Sequence, residues 1–338
     1  DWRAAETEFT EAIRLDPAIS RAWSGRAWAR ISLGRYGEGE SDGTKAIELD
    51  PGDGAAWNRR GVARVRLDRL PEALEDLRKG VALDAVDAAG ANELGSLLLA
   101  LGRGAEAEEA FTETIRRDER ILEAWVHRAI LRLELGRIEE SEADFARAIA
   151  LDPKHARAWS ERSRGRSRRG EFAKAAEDAD RAAELRPDDP PVARAYARAH
   201  AGRAAEAIED FRRIAGAHDY AWLWIWLLRT RRGEGEAATL ELQTTLRIRP
   251  KADWFSTIAQ YLVGSATEES FLKAAGAADP KQAREQECEA YFYAGMKRLF
   301  AGDTAGAVDY FRESVESGVP DLVEHAGSRA ELQRMGLK

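Results

Sequence analysis

The sequence predicts an all-α solenoid of stacked antiparallel helix pairs, and three observations carry that expectation. The first is a period. Pro17 and Pro51 stand 34 residues apart, as do Pro153 and Pro187, and the pairs Trp23/Trp57 and Trp125/Trp159 keep the same interval. The second is amphipathicity within one period. Over 122–155, Trp125, Ala129, Leu131, Leu133 and Leu135 give a first helix its apolar stripe, and Ile138, Phe145, Ala148, Ile149 and Leu151 give one to a second. Gly136 is the stop between them, and Asp152-Pro153 ends the second helix because proline disfavours helical geometry in the residue before it. The third is composition: 33% charged and 44% hydrophobic residues suit exposed helices with many i to i+4 pairs. One hairpin cannot bury both stripes, so neighbours must stack, and the first helices line a concave face.

Taken in order, residues 1–19 place Trp2, Ala5, Phe9, Ala12 and Pro17 where Tyr36, Gly39, Gly43, Ala46 and Pro51 stand one period later. This is a second helix without its first, which implies further repeats upstream. Seven repeats fill 20–252: regular ones over 20–53, 54–87, 88–121, 122–155 and 156–189, a shortened sixth at about 190–218, and a seventh at about 219–252. The third has Ala91 in place of tryptophan, with Ala85 and Glu119 in place of proline at its borders. The sixth keeps register through Gly202, Ala207 and Phe211, and the seventh through Trp222, Gly233, Ala238, Leu242 and Pro250. Residues 253–280 lose the pattern but stay helical, with a Ser265 to Glu268 capping spacing and Asp279-Pro280 as N-cap and first-turn proline of the next helix. A final repeat over 281–317 carries Tyr291, Gly295, Gly302, Ala307 and Phe311, and 318–338 is read as a C-terminal capping helix.

Each tryptophan of the regular repeats is followed four residues later by a small residue (Ala27, Gly61, Ala129, Ser163), then a glycine turn (Gly34, Gly136, Gly170) and a bulky residue (Tyr36, Leu70, Ile138, Phe172). This register resembles the tetratricopeptide repeat (TPR). The resemblance implies a right-handed superhelix of antiparallel helix pairs that binds proteins or peptides in its concave groove. In the C-terminal third, Ala221–Arg229, Glu287–Gly295, Ala301-Gly302-Asp303, Ala307 to Phe311, Val323-Glu324-His325 and Ala330-Glu331-Leu332 resemble the end of NlpI-type bacterial TPR proteins. That resemblance implies a bacterial adaptor, in that family an envelope lipoprotein that scaffolds peptidoglycan hydrolases and presents them to a protease. This chain has no lipid-attachment cysteine near its start. The bacterial cytoplasm and the periplasm both stay open as its location, and a lipid anchor or a sensor-coupled upstream domain fits either.

Little in the chain points to catalysis. Five histidines (His127, His155, His200, His218, His325) are scattered, with no His-Glu-x-x-His, and Cys288 is the lone cysteine, so no catalytic residue, cofactor or metal site is assigned. No run approaches the roughly 20 apolar residues of a membrane span. A net charge of −8 argues against nucleic acid, and confines that reading to the Lys154 to Arg169 strip.

That strip is the sharpest charge feature: Lys154, Arg157, Arg162, Arg164, Arg166, Arg168 and Arg169 face only Glu161. Arg157, Arg164 and Arg168 share one helical face at groove offsets. The matching face offers Glu123, Val126 and Ile130 one repeat earlier, and Tyr196 and His200 one repeat later. Together they suit an acidic peptide with hydrophobic anchors, to which Trp28 and Trp224, at groove offsets of their own repeats, add candidate anchor sites. The alternatives are a solvated face neutralised by Glu134, Asp178 and Asp189, and tryptophans packed on adjoining helices. Self-association through the unpaired first helix is the competing mode of assembly.

Overall fold

Glycine stops and aspartate-proline breaks restrict this chain to short helices. The computed structural model describes residues 1–84, 86–249, 251–277 and 279–337, is helical throughout and has no strand among the described residues. The border positions Ala85 and Pro250 lie outside them. The chain is all-α, built of consecutive antiparallel helix pairs, and divides into two compact units, Asp1–Pro153 and Lys154–Lys338.

The first unit contains α1 (Trp2–Leu15), α2 (Ser20–Ser32), α3 (Tyr36–Leu49), α4 (Gly54–Arg66), α5 (Leu70–Leu83), α6 (Ala88–Ala100), α7 (Gly104–Arg117), α8 (Leu122–Glu134) and α9 (Ile138–Leu151). Pairs close through a residue in the left-handed region: Gly34, Gly102 and Gly136 have φ of 78°, 72° and 74°, and Asp68 takes the same place in the second repeat at φ 57°. Glycine relieves the Cβ clash there, and aspartate tolerates it through its short polar side chain. Asp53 and Asp87 cap α4 and α6 by accepting from the backbone N–H groups of Ala56 and Gly90.

The periodic tryptophans are only partly buried. Their indole N–H groups donate to the carbonyl oxygens of Pro17, Pro51 and Glu119 at 2.9, 2.9 and 2.8 Å. Guanidinium groups of Arg26, Arg60 and Arg128 lie over the rings at 4.9, 4.9 and 5.1 Å. The ring therefore staples these three inter-repeat turns to the following helix, and a partly exposed edge is the geometric consequence.

A second periodic system lies inside the helix pairs. Asp42, nearly buried, accepts from Arg26 at 2.8 Å and from Arg30 at 2.9 Å, while Arg30 and Arg35 reach back to Glu6 at 3.0 and 2.7 Å. One period on, Asp76 joins Arg60 and Arg64, and Glu40 joins Arg64 and Arg69. The quartet returns as Glu108, Arg128, Arg132 and Asp144. In the repeat between, the equivalent positions are Leu74, Leu94, Leu98 and Ala110, all within or against one apolar cluster. All four charges are absent together, as expected where one unpaired buried charge costs more than the whole set replaced by packed apolar groups.

The second unit contains α10 (Ala156–Arg169), α11 (Phe172–Leu185), α12 (Val192–His200), α13 (Ala204–Ile214), α14 (Tyr220–Arg231), α15 (Gly235–Ile248), α16 (Trp254–Leu262), α17 (Glu268–Ala274), α18 (Pro280–Phe300), α19 (Thr304–Glu316) and α20 (Val323–Arg334). Arg162 and Arg166 here clasp Asp178 at 2.8 and 2.9 Å, and Arg194 and Arg198 clasp Asp210 at 2.6 and 2.8 Å. Asp279 caps α18 with Pro280 in its first turn, whereas α17 is capped by Thr267 rather than Ser265. The core is aromatic. α14 buries Leu223, Trp224, Ile225, Trp226, Leu227 and Leu228, so it is apolar on every side and is enclosed by its neighbours.

Candidate functional site

In the second unit α10, α12, α14 and α18, each the first helix of its pair, have α20 and the segment leading into it against one common face. Arg164 and Arg168 project from α10, Tyr196 and His200 from α12, and all four line one cavity of about 270 Å³. Its remaining wall includes Pro320, Asp321, Leu322 and Val323, the residues that lead into α20. Arg157, exposed and two turns before Arg164, lines a neighbouring cavity of about 180 Å³ with Pro190, Pro191 and Arg194. Ser160 and Ala193 belong to both walls.

The basic strip thus splits by role. Arg162 and Arg166 serve the buried clasp on Asp178, and Arg168 pairs with Asp321, leaving Arg164 exposed with a single ion pair to Glu161 at 2.9 Å. His200 is 6% exposed, and burial together with nearby Arg334 pushes its pKa down to about 3, so it stays neutral in this site. Burial likewise raises the Tyr196 phenol.

Trp224 is not an exposed groove-edge anchor. It is 4% exposed, stacks on Phe292 with ring centroids 5.5 Å apart, and meets Tyr196 and His200 edge-on at 5.4 and 5.3 Å. The cause is α20, whose Gly327 lies so close that an added Cβ would sit 3.3 Å from the Trp224 ring. In the first unit, Val126 and Ile130 are buried at 3% and 8% exposure, Glu123 is exposed, and Trp28, 38% exposed, meets the ring of Trp2 edge-on at 6.4 Å.

Sequence reasoning missed the role of α20. Rather than only covering the last pair, it crosses the ends of the groove helices. Arg334 donates to the carbonyl oxygens of Ala199 and His200 at 3.0 and 2.7 Å, at the end of α12, and Arg329 donates to the carbonyl of Arg168 at the end of α10. Glu331 pairs with Arg231, the last residue of α14, at 2.7 Å. Glu324, 1% exposed, accepts from Tyr293 of α18 at 3.0 Å. Burial and the neighbouring Glu324 raise Glu289 of α18 to about 8, and burial raises Glu324 too. A stretch of Gly, Ser, Ala, His and Glu is weakly apolar, so its own pattern gave no signal of such burial.

No group of three or more His, Cys, Asp or Glu among the described residues is placed to hold a metal, and no described helix is long and apolar enough to cross a membrane. Cys288 is buried, its Sγ 3.4 Å from the Ser314 carbonyl oxygen, and burial raises its thiol pKa. That environment suppresses thiolate chemistry.

No curated protein matches the sequence. The family model for the tetratricopeptide repeat matches residues 1–54, 92–156 and 126–190. Among solved structures, the chain is similar to YrrB, described as a TPR protein with an unusual peptide-binding site, at 22% identity over 54% of this chain and 94% of that one, with a TM-score of 0.48. A tetratricopeptide repeat protein from Parabacteroides merdae shares 17% identity over 72% and 98%, TM-score 0.48. A chain of the Cut9–Hcn1 hetero-tetramer of the APC/C shares 14% over 67% and 46%, TM-score 0.50, a likeness of fold alone. With the family match over residues 1–54 and 92–190 and the recurring helix pairs closed by left-handed turns, the chain is a tetratricopeptide repeat protein.

Proposed function

We propose that the chain is a non-enzymatic scaffold that holds an acidic peptide with apolar anchors along α10 and α12. One observation carries this reading: two cavities, of about 270 and 180 Å³, share Ser160 and Ala193, and each has an exposed arginine, Arg164 or Arg157, at its wall. The path offers cations at intervals with the half-buried Tyr196 ring between helices. An extended or helical segment with spaced carboxylates matches that pattern better than a small molecule. The pairing of Arg168 with the exposed Asp321 supports the same chemistry, since a carboxylate already sits on one cation of this wall.

The test is capture of partners by the full chain, identification by mass spectrometry, and titration against Arg157→Glu/Arg164→Glu. A charge-assisted contact is worth about 1.5–3 kcal/mol when well formed and less at an exposed position, so two lost contacts should weaken binding about 10- to 100-fold. Unchanged affinity in a variant of undiminished helicity would place recognition elsewhere.

A further inference from the structure

A groove lined by aromatic rings and free helix ends is the surface such a scaffold would offer to a partner, and here the chain covers much of it with its own α20. The manner of that covering is informative. α20 buries few large apolar side chains; its enclosed residues are Glu324, His325, Gly327, Ser328, Ala330, Glu331 and Leu332. Contact is made by closeness and charge. A Cβ added at Gly327 would meet Phe292 at 2.7 Å, Asp321 pairs with Arg168, and Glu331 pairs with Arg231 at 2.7 Å.

The fit is also incomplete. Ser328 Oγ on α20 and His200 Nε2 on α12 are buried without a hydrogen-bond partner. An unsatisfied buried polar atom weakens an interface by an amount comparable to a lost hydrogen bond. Glu324 and Glu289 place two acidic side chains in one enclosed region. The connection to α19, residues 317–322, holds Gly318 at φ 73° and Pro320, so α20 is joined to the array through a short irregular segment rather than a continuous helix. Polar burial, orphaned polar atoms and a hinge-like attachment are features of a helix held less firmly than the core beneath it.

We propose that the face formed by α10, α12, α14 and α18 is a helix-docking groove, that α20 is its resident occupant, and that an external helix of like chemistry displaces it. The fitting partner presents one carboxylate to Arg168 from just before its helix, a second to Arg231 about ten residues later from within it, and a face of glycine, serine and alanine between them, as Asp321, Glu331 and the intervening Gly327, Ser328 and Ala330 do now. The proposal rests on the groove being a recognition surface, and it adds that recognition is gated: apparent affinity falls in proportion to the fraction of molecules in which α20 is away.

The probe is a fluorescein-labelled peptide of residues 319–337, titrated into the full chain and into full-length Gly327→Leu. Leucine at 327 cannot fit against Phe292 and Trp224, so α20 should leave the groove while the array persists. The peptide should bind Gly327→Leu at least about tenfold more tightly than the parent, and a peptide carrying Asp321→Asn and Glu331→Gln should lose about that much. Equal affinity for both chains, or binding indifferent to the two carboxylates, overturns the proposal. Hydrogen exchange on the parent chain tests it without any substitution: α20 amides should exchange through an opening at least about tenfold more frequent than that of α14 and α18. Exchange of all three only together overturns it. A parent chain that dimerises with concentration, and that the peptide returns to monomer, assigns the groove to a second copy and overturns the external-partner reading. Neither experiment touches Arg157 or Arg164, so failure here is distinct from failure of the peptide site at those residues.

Discussion

Asp144→Ala removes the centre of a buried charge cluster, and its effect follows from the contacts it breaks. Asp144 is 3% exposed and accepts two bonds from Arg128 and one from Arg132, all at 2.8 Å. Arg132 keeps Glu108 at 2.9 Å; Arg128 keeps Thr112 at 3.1 Å and its position over Trp125. Breaking one side of a buried ion pair costs about 3–5 kcal/mol. The surviving contacts put this case near the lower figure, about 3 kcal/mol. The informative control changes the whole quartet, Glu108→Leu, Arg128→Leu, Arg132→Leu and Asp144→Ala, patterned on Leu74, Leu94, Leu98 and Ala110. That set should cost less than about 1 kcal/mol or stabilise, because no charge is left buried without a partner. An array does not unfold in a single step, so the assay is hydrogen exchange at the amides of α8 and α9. A single substitution costing under about 1 kcal/mol, or a quadruple variant less stable than the single one, would refute the reasoning.

Two further outcomes follow from backbone geometry and charge. Gly136→Ala should cost about 1–2 kcal/mol from its left-handed conformation alone, since nothing lies within 4 Å of the added Cβ, whereas Asp68→Gly should be neutral or slightly stabilising; hydrogen exchange at the helices flanking each turn checks the difference. The docked state of α20 should weaken as pH rises. Glu289, raised from 4.5 to about 8, faces Glu324 of α20, Tyr220 of α14, Trp254 of α16 and Glu285 of its own helix, while Glu324 faces Tyr293 of α18 and Tyr196 of α12. The Glu324 charge that α20 brings is one cause of the raised pKa, so Glu289 binds more protons docked than free, and its contribution is lost as pH rises through about 8. Exchange protection of α20, corrected for the intrinsic rate, should fall over that range, and Glu289→Gln should flatten the fall; rising protection would contradict the sign.

Local features were legible because local rules produce them. Trp23 and Pro17, six residues apart, meet through the indole N–H, and Gly34 takes φ 78° where the helix must stop. The ionic quartet has the same 34-residue period and was equally open to inspection, yet Arg162 and Arg166 read as part of a basic strip. Their partner Asp178 lies 16 and 12 residues on, in the next helix, where spacing along one helix does not reveal a clasp. The burial of Trp224 and the pairing of Arg168 had no local signal. Both depend on α20, and Arg168 and Asp321 are 153 residues apart. Groove offsets say which way a side chain points; they do not say what returns from a distant part of the chain to cover it.

Hydrogen exchange on the full chain, with and without a captured partner, reads both halves of the proposed recognition at once: engagement along α10 and α12, and release of α20. New protection at residues 156–200 together with lost protection at 323–334 is the predicted result. Protection confined to the first unit, for example around Trp2 and Trp28, with α20 unchanged, would contradict it.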